Sequence, residues 1–280
     1  MLGLSARAIL VDNASTDGTP EYAQNHFPWC RVIRSTNNGG YSYGNNIGFK
    51  AAGFPEAPLF EYVLLLNPDT ELPANALRTM LTYMHDNTSV GVLGPKLILT
   101  DGTLDKACKR GLPTPLVALY HFTGLSRLFP KNPYFARYNM TFLDEDITAD
   151  VDSTVGACEL IRGKALSQAG LLDERFFMYG EDLDLNLRIR KSGYRIVYHP
   201  AVTVTHLKGS SSRQEPARMI RAFYDSMKLF HKKHFADKHP YALNIAVYAA
   251  VNLLCAYKLL RNHLKPPARR TVGSAPRETD

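Results

Sequence analysis

The stretch Ile9-Leu10-Val11-Asp12-Asn13-Ala14-Ser15-Thr16-Asp17-Gly18 determines how the first half of the chain is organised. It joins a short aliphatic run to a cluster of turn-forming polar residues, and this combination predicts a buried strand that ends at Asp12. Thr19 and Pro20 follow, and they suit the N-cap and the first position of a helix. The stretch therefore predicts a strand, a polar turn and a helix in direct succession.

The same alternation continues along the chain. Apolar runs predict further strands at 31–34, 62–66 and 90–99. A helix is predicted over 72–87 from apolar residues at helical spacing, namely Leu77, Met80, Leu81 and Met84. The glycine- and asparagine-rich segment 37–48 is predicted to be a loop. Strands that alternate with helices in this way predict an α/β fold with a mostly parallel central sheet flanked by helices.

The pattern is interrupted in the middle of the chain and then resumes. Residues 101–151 are rich in Pro, Phe and Tyr without a clear period, so we expect a partly irregular insertion there rather than a separate domain. Strand character returns at 155–162, 194–198 and 201–205. Residues 181–190 have apolar i,i+4 pairs and three acids near their start, which predicts a mostly buried helix that stops at Gly193.

The composition excludes several classes of protein. The chain has 280 residues, 45% hydrophobic and 21% charged, so it is too apolar for a disordered protein and long enough to bury a sizeable core. Its four cysteines are far apart, which excludes a zinc ribbon and a dense disulfide scaffold. The first ten residues lack the apolar run of a signal peptide, so we expect a reducing, cytoplasmic location.

Positive charge is concentrated in the second half of the chain. The net charge is +7, and residues 186–238 alone carry twelve Lys or Arg against three Asp or Glu. This excess indicates phosphate on a small molecule, a membrane surface or nucleic acid as a partner, and it also suits a solvated basic face. Because no nucleic-acid recognition motif accompanies the charge, we do not expect nucleic acid to be the partner.

A long uncharged segment lies near the C-terminus. Tyr241–Tyr257 contains no charged residue, and five basic residues come next: Lys258, Arg261, Lys265, Arg269 and Arg270. Seventeen uncharged residues lie at the lower limit for a membrane span, and Asn244 and Asn252 interrupt them. We therefore expect an interfacial helix with a basic flank at a membrane surface, the alternative being a core helix packed on the domain.

Acidic residues at the ends of two predicted strands are candidates for a metal site. Asp12 and Asp69 both follow apolar runs, and ligands bind at the carboxyl ends of strands in α/β sheets. Mg²⁺ or Mn²⁺ accepts one or two carboxylates together with substrate phosphates. The same residues also suit ordinary turns, just as the acids of 181–184 suit a helix N-terminus and His206 suits a structural hydrogen bond.

Six segments in the same order along the chain resemble the family 2 glycosyltransferases of the GT-A fold. They begin with Val-Asp-Asn-Ala-Ser-Thr-Asp-Gly and continue with Leu-Asn-Pro-Asp and Tyr-Gly-Glu-Asp-Leu-Asp, and they lie at 11–19, 38–48, 66–69, 155–157, 177–184 and 206–211. The resemblance is nearest to bacterial rhamnosyltransferase-like enzymes of surface-polysaccharide synthesis. It implies a GT-A-type nucleotide-diphospho-sugar transferase fold.

The resemblance also implies a division of the chain. A catalytic domain at 1–212 would have a nucleotide half at 1–100 and an acceptor half at 150–212. Beyond the resemblance, the uncharged segment and its basic flank predict a C-terminal helical, membrane-associated region at 213–270, and a disordered tail is expected at 271–280.

On the donor side, the resemblance assigns roles to individual residues. Asp12 would contact the nucleotide base, and Asn38 and Asn46 would shape the nucleotide site. Asp69 would hold a divalent cation, Mg²⁺ or Mn²⁺, against the donor diphosphate. Arg188 would lie near the bound nucleotide sugar.

On the acceptor side, the resemblance implies that Asp182 is the general base. Gly156 and Glu181 would line the acceptor side, and His206 would approach the metal or the diphosphate. Asp184 is two residues from Asp182 and cannot share its helix face, so we expect only a pairing with Arg188 and a small effect on stability.

The activity that follows is an inverting transfer of a sugar, rhamnose among the candidates. The donor would be dTDP- or UDP-linked, and the acceptor a lipid-linked or polymeric cell-surface glycan at the inner face of the plasma membrane. Family members carry a strand and a helix before the Val-Asp-Asn segment, whereas eleven residues precede Asp12 here. We therefore expect either an upstream start or a truncated pseudoenzyme that binds nucleotide or acts as an interaction module. A nucleotidyltransferase is a further alternative.

Overall fold

The computed structural model describes residues 5–207 and 216–265. Four elements form its first part: strand β1 (Ile9–Asp12), helix α1 (Thr19–His26), strand β2 (Arg31–Arg34) and helix α2 (Tyr41–Ala51). Strands β1 and β2 form a two-stranded parallel sheet in which Asp12 pairs with Arg34. Helix α1 begins at Thr19, as predicted, but Gly18 occupies the cap with a left-handed backbone and Thr19 is the first helical residue.

The segment predicted to be a loop at 37–48 is mostly helix α2, so that prediction was wrong. Gly40 turns the chain with a φ of +89°, and the helix starts at the next residue. The Tyr41 N–H donates to the Phe177 carbonyl at 2.8 Å, and the Ser42 hydroxyl donates to the Phe176 carbonyl at 2.8 Å. These contacts with a distant segment stabilise the helix despite its poor intrinsic propensity.

The remaining elements surround a second, larger sheet. In chain order they are β3 (Tyr62–Leu66), β4 (Thr70–Glu71), α3 (Ala76–Asp86), β5 (Val90–Ile98), α4 (Pro115–Phe122), α5 (Leu125–Leu128), β6 (Ala149–Val151), β7 (Cys158–Arg162), α6 (Gly163–Ala169), α7 (Glu181–Lys191) and β8 (Arg195–His206). The strand order is β3-β7-β5-β8-β4, and β6 pairs with β8.

The central sheet is mixed, which corrects the prediction of a mostly parallel sheet. In the six-stranded sheet β5 and β8 pair in parallel, whereas β7 runs antiparallel to both β3 and β5, and β4 and β6 run antiparallel to β8. An apolar strand sequence indicates burial on two faces but not strand direction. The pattern alone therefore did not distinguish a mostly parallel sheet from a mixed one.

Strand β8 is one continuous strand, although two strands were predicted at 194–198 and 201–205. Its register against β5 shifts between Pro95 and Lys96, which pair with His199 and Thr203. Pro200 lies within this bulge, where its missing N–H costs no ladder hydrogen bond. The bulge lets the strand continue to His206 at the edge of the cavity described below.

The main core lies between the larger sheet and helices α2, α3, α6 and α7. Met80 and Met84 of α3 are fully buried, as are Leu160 and Ile161 of β7. Each such side chain contributes roughly 1.5–3 kcal/mol on burial. Arg162 is buried at the end of β7, where its guanidinium donates to the carbonyls of Val90, Met84 and Asn87.

Two C-terminal helices complete the described structure. Helix α8 (Pro216–His234) packs against the preceding part of the chain through Phe230, which clusters with Phe176 of the segment before α7 and with two leucines of α7. Helix α9 (Tyr241–His263) returns along α8, and Ile220, Tyr224 and Val251 form a small core between them. The motif segment 209–211 and the predicted tail at 271–280 lie outside the described residues.

Candidate active site

A cavity of about 2120 Å³ opens where the ends of β1, β3 and β8 meet the starts of α2 and α7. Seven of the predicted site residues line it: Asp12, Asn38, Asp69, Gly156, Glu181, Asp182 and His206. Within the described residues, β1 pairs with β2 alone and β3 with β7 alone, so the cavity extends between the two sheets. The fold therefore brings together residues that lie almost 200 positions apart.

The end of β1 and the start of α2 form one wall. The backbone N–H of Ser15 donates to both carboxylate oxygens of Asp12, at 3.2 and 3.3 Å. Asn13, which the sequence did not single out, donates to Asn38 Oδ1 at 3.2 Å and to the Gly40 carbonyl at 2.9 Å. Asn13 therefore holds the segment before α2 against the end of β1.

Asn46 does not reach the cavity. Its side-chain amide donates to the Leu172 carbonyl at 2.9 Å and to Glu174 at 2.8 Å, and its carbonyl accepts from the Leu172 N–H at 3.0 Å. All its polar atoms are thus used to join α2 to the segment that follows α6. The structure therefore corrects its assignment as a nucleotide-site residue.

Arg188 is likewise directed away from the cavity. Its Nε donates to Asp184 at 2.8 Å, and its terminal nitrogens donate to the carbonyls of Gly170 and Leu171 at 3.1 and 2.8 Å. Because its donors are committed to these groups, Arg188 fixes the segment after α6 to α7. The structure corrects its prediction as a nucleotide-sugar residue.

Asp69 and His206 form the second wall. Thr70 of β4 pairs with His206 of β8, which places the His206 Nε2 3.5 Å from Asp69 Oδ1. The Nδ1 of the same ring lies 3.1 Å from Asp105 Oδ2. Burial opposes the charged form of the ring, but the hydrogen bonds to Asp105 and Asp69 outweigh it and raise the pKa of His206 to about 9.

This pair of side chains fits a divalent cation that also takes ligands from a substrate and displaces the Nε2 proton, because only a neutral imidazole binds a metal. Asp105 orients the imidazole through Nδ1, so that Nε2 points to the same side as the Asp69 carboxylate, as in metal-binding histidines. Among the described residues no group of three or more His, Cys, Asp or Glu side chains is arranged to hold a metal ion. One or two carboxylates completed by substrate phosphates and water are the usual ligands of Mg²⁺, and Asp69 supplies one such carboxylate.

Asp182 lies in the first turn of α7 and lines the same cavity. Gly180, with a φ of +81°, precedes the helix, and Asp182 is only 6% exposed. Its Oδ2 accepts a hydrogen bond from Arg110 Nη2 at 2.7 Å and one from the Gly156 N–H at 3.2 Å. Arg110 also donates to the Thr154 carbonyl, so the guanidinium has a fixed position.

Two further carboxyls surround Asp182. Burial raises the pKa of Glu159 to about 7, and its Oε1 accepts from Thr154 Oγ1 at 2.6 Å and from Asn186 at 2.8 Å. Burial and the negative charge of Asp182 raise the pKa of Glu181 well above its usual value. Of the three acids, Asp182 is the one that Arg110 pairs with directly, at 2.7 Å.

Asp184 points to the other side of α7, as predicted, but it is far more deeply embedded than expected. The carboxylate is fully buried and pairs with Arg188, with Lys233 at 2.7 Å and with His234 at 2.8 Å. The expected pairing with Arg188 is present, whereas the two partners on α8 were not foreseen. Asp184 therefore joins α7 to α8.

Residues missed by sequence reasoning share one property, which is that their partners are distant in sequence. Arg110 lies 72 residues from Asp182, and Asp105 lies 101 residues from His206. Both come from the region predicted to be an irregular insertion. For Asn13, the signal was present in the Val-Asp-Asn segment itself.

The mixed sheet, with acids at strand ends and at a helix start, agrees with the fold of GT-A glycosyltransferases. The chain matches the sequence model of glycosyl transferase family 2 over residues 4–148. It is 32% identical over 236 residues to the N-acetylglucosaminyl-diphospho-decaprenol L-rhamnosyltransferase of Mycobacterium tuberculosis, a match that covers 82% of this chain and 75% of that protein. The chain belongs to glycosyltransferase family 2, and the family resemblance predicted from its motifs is confirmed.

Other relatives agree with this assignment. The low-salt glycan biosynthesis hexosyltransferase Agl10 of Haloferax volcanii is 29% identical over 206 residues, which cover 72% of this chain and 59% of that protein. In fold, the chain resembles GalNAc-T7 solved with UDP, GalNAc and Mn²⁺, with a TM-score of 0.50 at 15% identity over 93% of this chain and 52% of that one. S. aureus TarS gives a TM-score of 0.50 at 16% identity, over 91% of this chain and 63% of that one. The protein is a glycosyltransferase.

Proposed function

We propose that the protein transfers a hexose, with rhamnose the first candidate, from a nucleotide diphosphate to a lipid-linked glycan of the cell surface. The observation that carries this proposal is that Asp69, His206 and Asp182 line the same cavity. The mycobacterial relative, named for a diphospho-decaprenol acceptor and L-rhamnose, supports the choice of sugar and acceptor. Nucleotide sugars and such acceptors would place the reaction at the cytoplasmic face of the plasma membrane.

The donor would lie along the wall formed by β1, α2 and β3. Asp12 would accept a hydrogen bond from the base of UDP or dTDP, and Asn38, held by Asn13, would shape the same site. Asp69 and His206 would hold Mg²⁺ or Mn²⁺ together with the donor diphosphate. When bound, the cation would neutralise negative charge on the leaving nucleoside diphosphate.

Asp182 would remove the proton from the acceptor hydroxyl as the new carbon–oxygen bond forms. Arg110 and the Gly156 N–H fix its Oδ2, so the carboxylate needs no reorientation during the reaction. Attack from the acceptor side, opposite the departing diphosphate, would invert the configuration of the sugar carbon. Glu181 Oε2 is buried without a hydrogen-bond partner among the described residues, so it could accept or donate to another acceptor hydroxyl.

Asp182→Asn tests the proposal because it keeps the size of the side chain but removes the proton acceptor. Turnover of dTDP-rhamnose with a prenyl-diphospho-N-acetylglucosamine acceptor should fall by about 10²–10⁴-fold, the usual effect of losing a general base. Nucleotide affinity, measured by calorimetry, should stay near that of wild type. The anomeric configuration of the product, determined by NMR, tests inversion.

Asp152→Asn is the matched control. Asp152 is also a buried aspartate, 7% exposed, and it pairs with Arg137 and Arg190, yet it does not line the cavity. Near-normal turnover of Asp182→Asn would contradict the assigned base. A wild-type protein that binds nucleotide but transfers no sugar from any donor would favour the pseudoenzyme alternative.

A further inference from the structure

Helix α9 leaves a long apolar face uncovered. Within residues 5–207 and 216–265, it is the one helix long and apolar enough to cross a membrane by length and composition, and most of its surface is exposed. Leu253 is 71% exposed, and Tyr257 and Leu260 are each 60% exposed. Such large apolar side chains in water are unfavourable unless another surface covers them.

The exposed residues follow the helical repeat. They recur at intervals of three or four along the whole helix, at Ala242, Ile245, Ala249, Leu253, Ala256, Leu260 and Leu264. The opposite face packs on α8, where Val251 and Leu254 meet Ile220 and Tyr224. We call the exposed set the α9 stripe.

Positive charge gathers at one end of the stripe. Burial together with the nearby charges of Lys265 and Arg261 lowers the pKa of Lys258, so these three cations lie close together. Arg221 of α8 and Asn262 of α9 line one small groove at the same end of the helix pair. Helix α9 contains no Asp or Glu, and α8 has a single acid, Asp225.

Contacts with α8 disfavour a membrane-spanning orientation of α9. Lys228 donates to Asn252 at 3.1 Å, and the His231 ring lies 2.8 Å from Asn244 Oδ1. Helix α8 is in turn joined to the buried Asp184 of α7 through Lys233 and His234. A spanning α9 would have to break these contacts or draw charged side chains into hydrocarbon, and both are costly.

We propose that α9 lies in the interface of an anionic bilayer. The α9 stripe would face the acyl chains, and Lys258, Arg261 and Lys265 would contact the lipid phosphates. An apolar face bordered by cations is the pattern of interfacial helices. A second copy of this chain would cover the apolar face, but its own α9 would offer no acid to the cations. Met219 and Phe230 of α8 line the cavity, so α8 lies between the membrane-binding helix and the site.

The position of α8 has a consequence for the acceptor. An acceptor anchored in the same bilayer would reach the cavity along the α8 wall without leaving the membrane. This second step rests on the proposed function, whereas binding of α9 to the bilayer does not.

Flotation of the full chain with vesicles tests the membrane contact. The protein should float with vesicles rich in phosphatidylglycerol, float less with pure phosphatidylcholine, and dissociate as salt rises. Leu253→Gln combined with Leu260→Gln should reduce the bound fraction at least tenfold. Leu128→Gln on α5 is the matched control, because Leu128 is 70% exposed and outside the stripe.

Three outcomes would contradict the binding of α9 to the bilayer interface. Equal flotation of the double variant and wild type would show that the stripe does not bind lipid. A dimer in sedimentation that the double variant abolishes, without flotation, would identify the stripe as a protein interface. Protein that alkaline carbonate fails to extract would show that α9 spans the bilayer. Flotation needs no catalysis, so an inactive enzyme that still floats would contradict the proposed function alone.

Discussion

Replacing Asp184 with asparagine tests whether the two neighbouring acids of α7 have separate roles. The Asp184 carboxylate is fully buried and accepts from Arg188 Nε at 2.8 Å, Lys233 Nζ at 2.7 Å and His234 Nε2 at 2.8 Å. Asparagine keeps the volume, but it would leave these donors without a negative charge and turn an NH₂ group toward one of them. Breaking a buried ion pair costs about 3–5 kcal/mol, so we expect Asp184→Asn to lose that much stability.

The loss can be measured by thermal and denaturant unfolding at pH 7. At about 2–4 °C per kcal/mol for a domain of roughly this size, the expected fall in Tm is about 6–20 °C. Asp150→Asn is the control, because Asp150 pairs with Arg195 at the surface and should contribute only about 0–1 kcal/mol. Turnover of folded Asp184→Asn protein with a soluble acceptor should stay near that of wild type, since Asp184 does not line the cavity.

The pH dependence provides a second test of the same network. Burial alone would raise the pKa of Asp184, but the hydrogen bond from His234 and the charges of Arg188 and Lys233 outweigh it and lower the pKa. A lowered pKa means that the stabilisation is complete above the unfolded-state value of about 3.9 and is lost as the pH falls through the folded-state value. The difference between wild type and variant should therefore be full at pH 7 and shrink below about pH 4. A loss under 1 kcal/mol at pH 7, equal to that of Asp150→Asn, would refute the reasoning.

Three further predictions concern the cavity. Asp69→Ala should abolish the part of UDP or dTDP affinity that depends on Mn²⁺, and calorimetry that gives equal affinities with and without chelator for both proteins would contradict the metal role. Arg110→Met should lower kcat more than it changes KM, because Asp182 loses the guanidinium that fixes its carboxylate, and Arg110→Lys should restore part of kcat. Amides of β1 and β2 should exchange hydrogen faster than those of β5 and β8, because the two-stranded sheet lacks a partner on the β3 side within the described chain. Bound nucleotide should slow exchange in β1, and equal protection of both sheets in the free protein would contradict this.

The sequence predicted those parts of the fold that depend on local patterns. Strands β1 and β3, with acids at their ends, and the start of α7 at Glu181 follow from apolar runs, turn residues and i,i+4 spacing. The rule that ligands bind at the carboxyl ends of strands also indicated a shared site for Asp12 and Asp69, although their strands belong to different sheets.

The rest depended on contacts between distant segments. Helix α2 forms in a glycine- and asparagine-rich sequence because its first turn bonds to the segment before α7. Asn46 and Asn38 are both asparagines, yet Asn46 faces Leu172 rather than the cavity. The position of α2 in the fold determines which of them lines the cavity. Strand direction in the larger sheet likewise depends on which strands become neighbours, which an apolar pattern does not encode.

Helix α7 has the candidate site on one side and α8 on the other. Residues two apart on a helix point to different sides, so Asp182 faces the cavity and Asp184 faces α8. Arg110 on one side and Lys233 with His234 on the other fix both acids, and α8 in turn carries α9. A rigid α7 therefore sets the position of the proposed base relative to the proposed membrane surface. Loosening the Asp184 network should then weaken use of a membrane-anchored acceptor more than use of a soluble acceptor, although no residue in the cavity has changed.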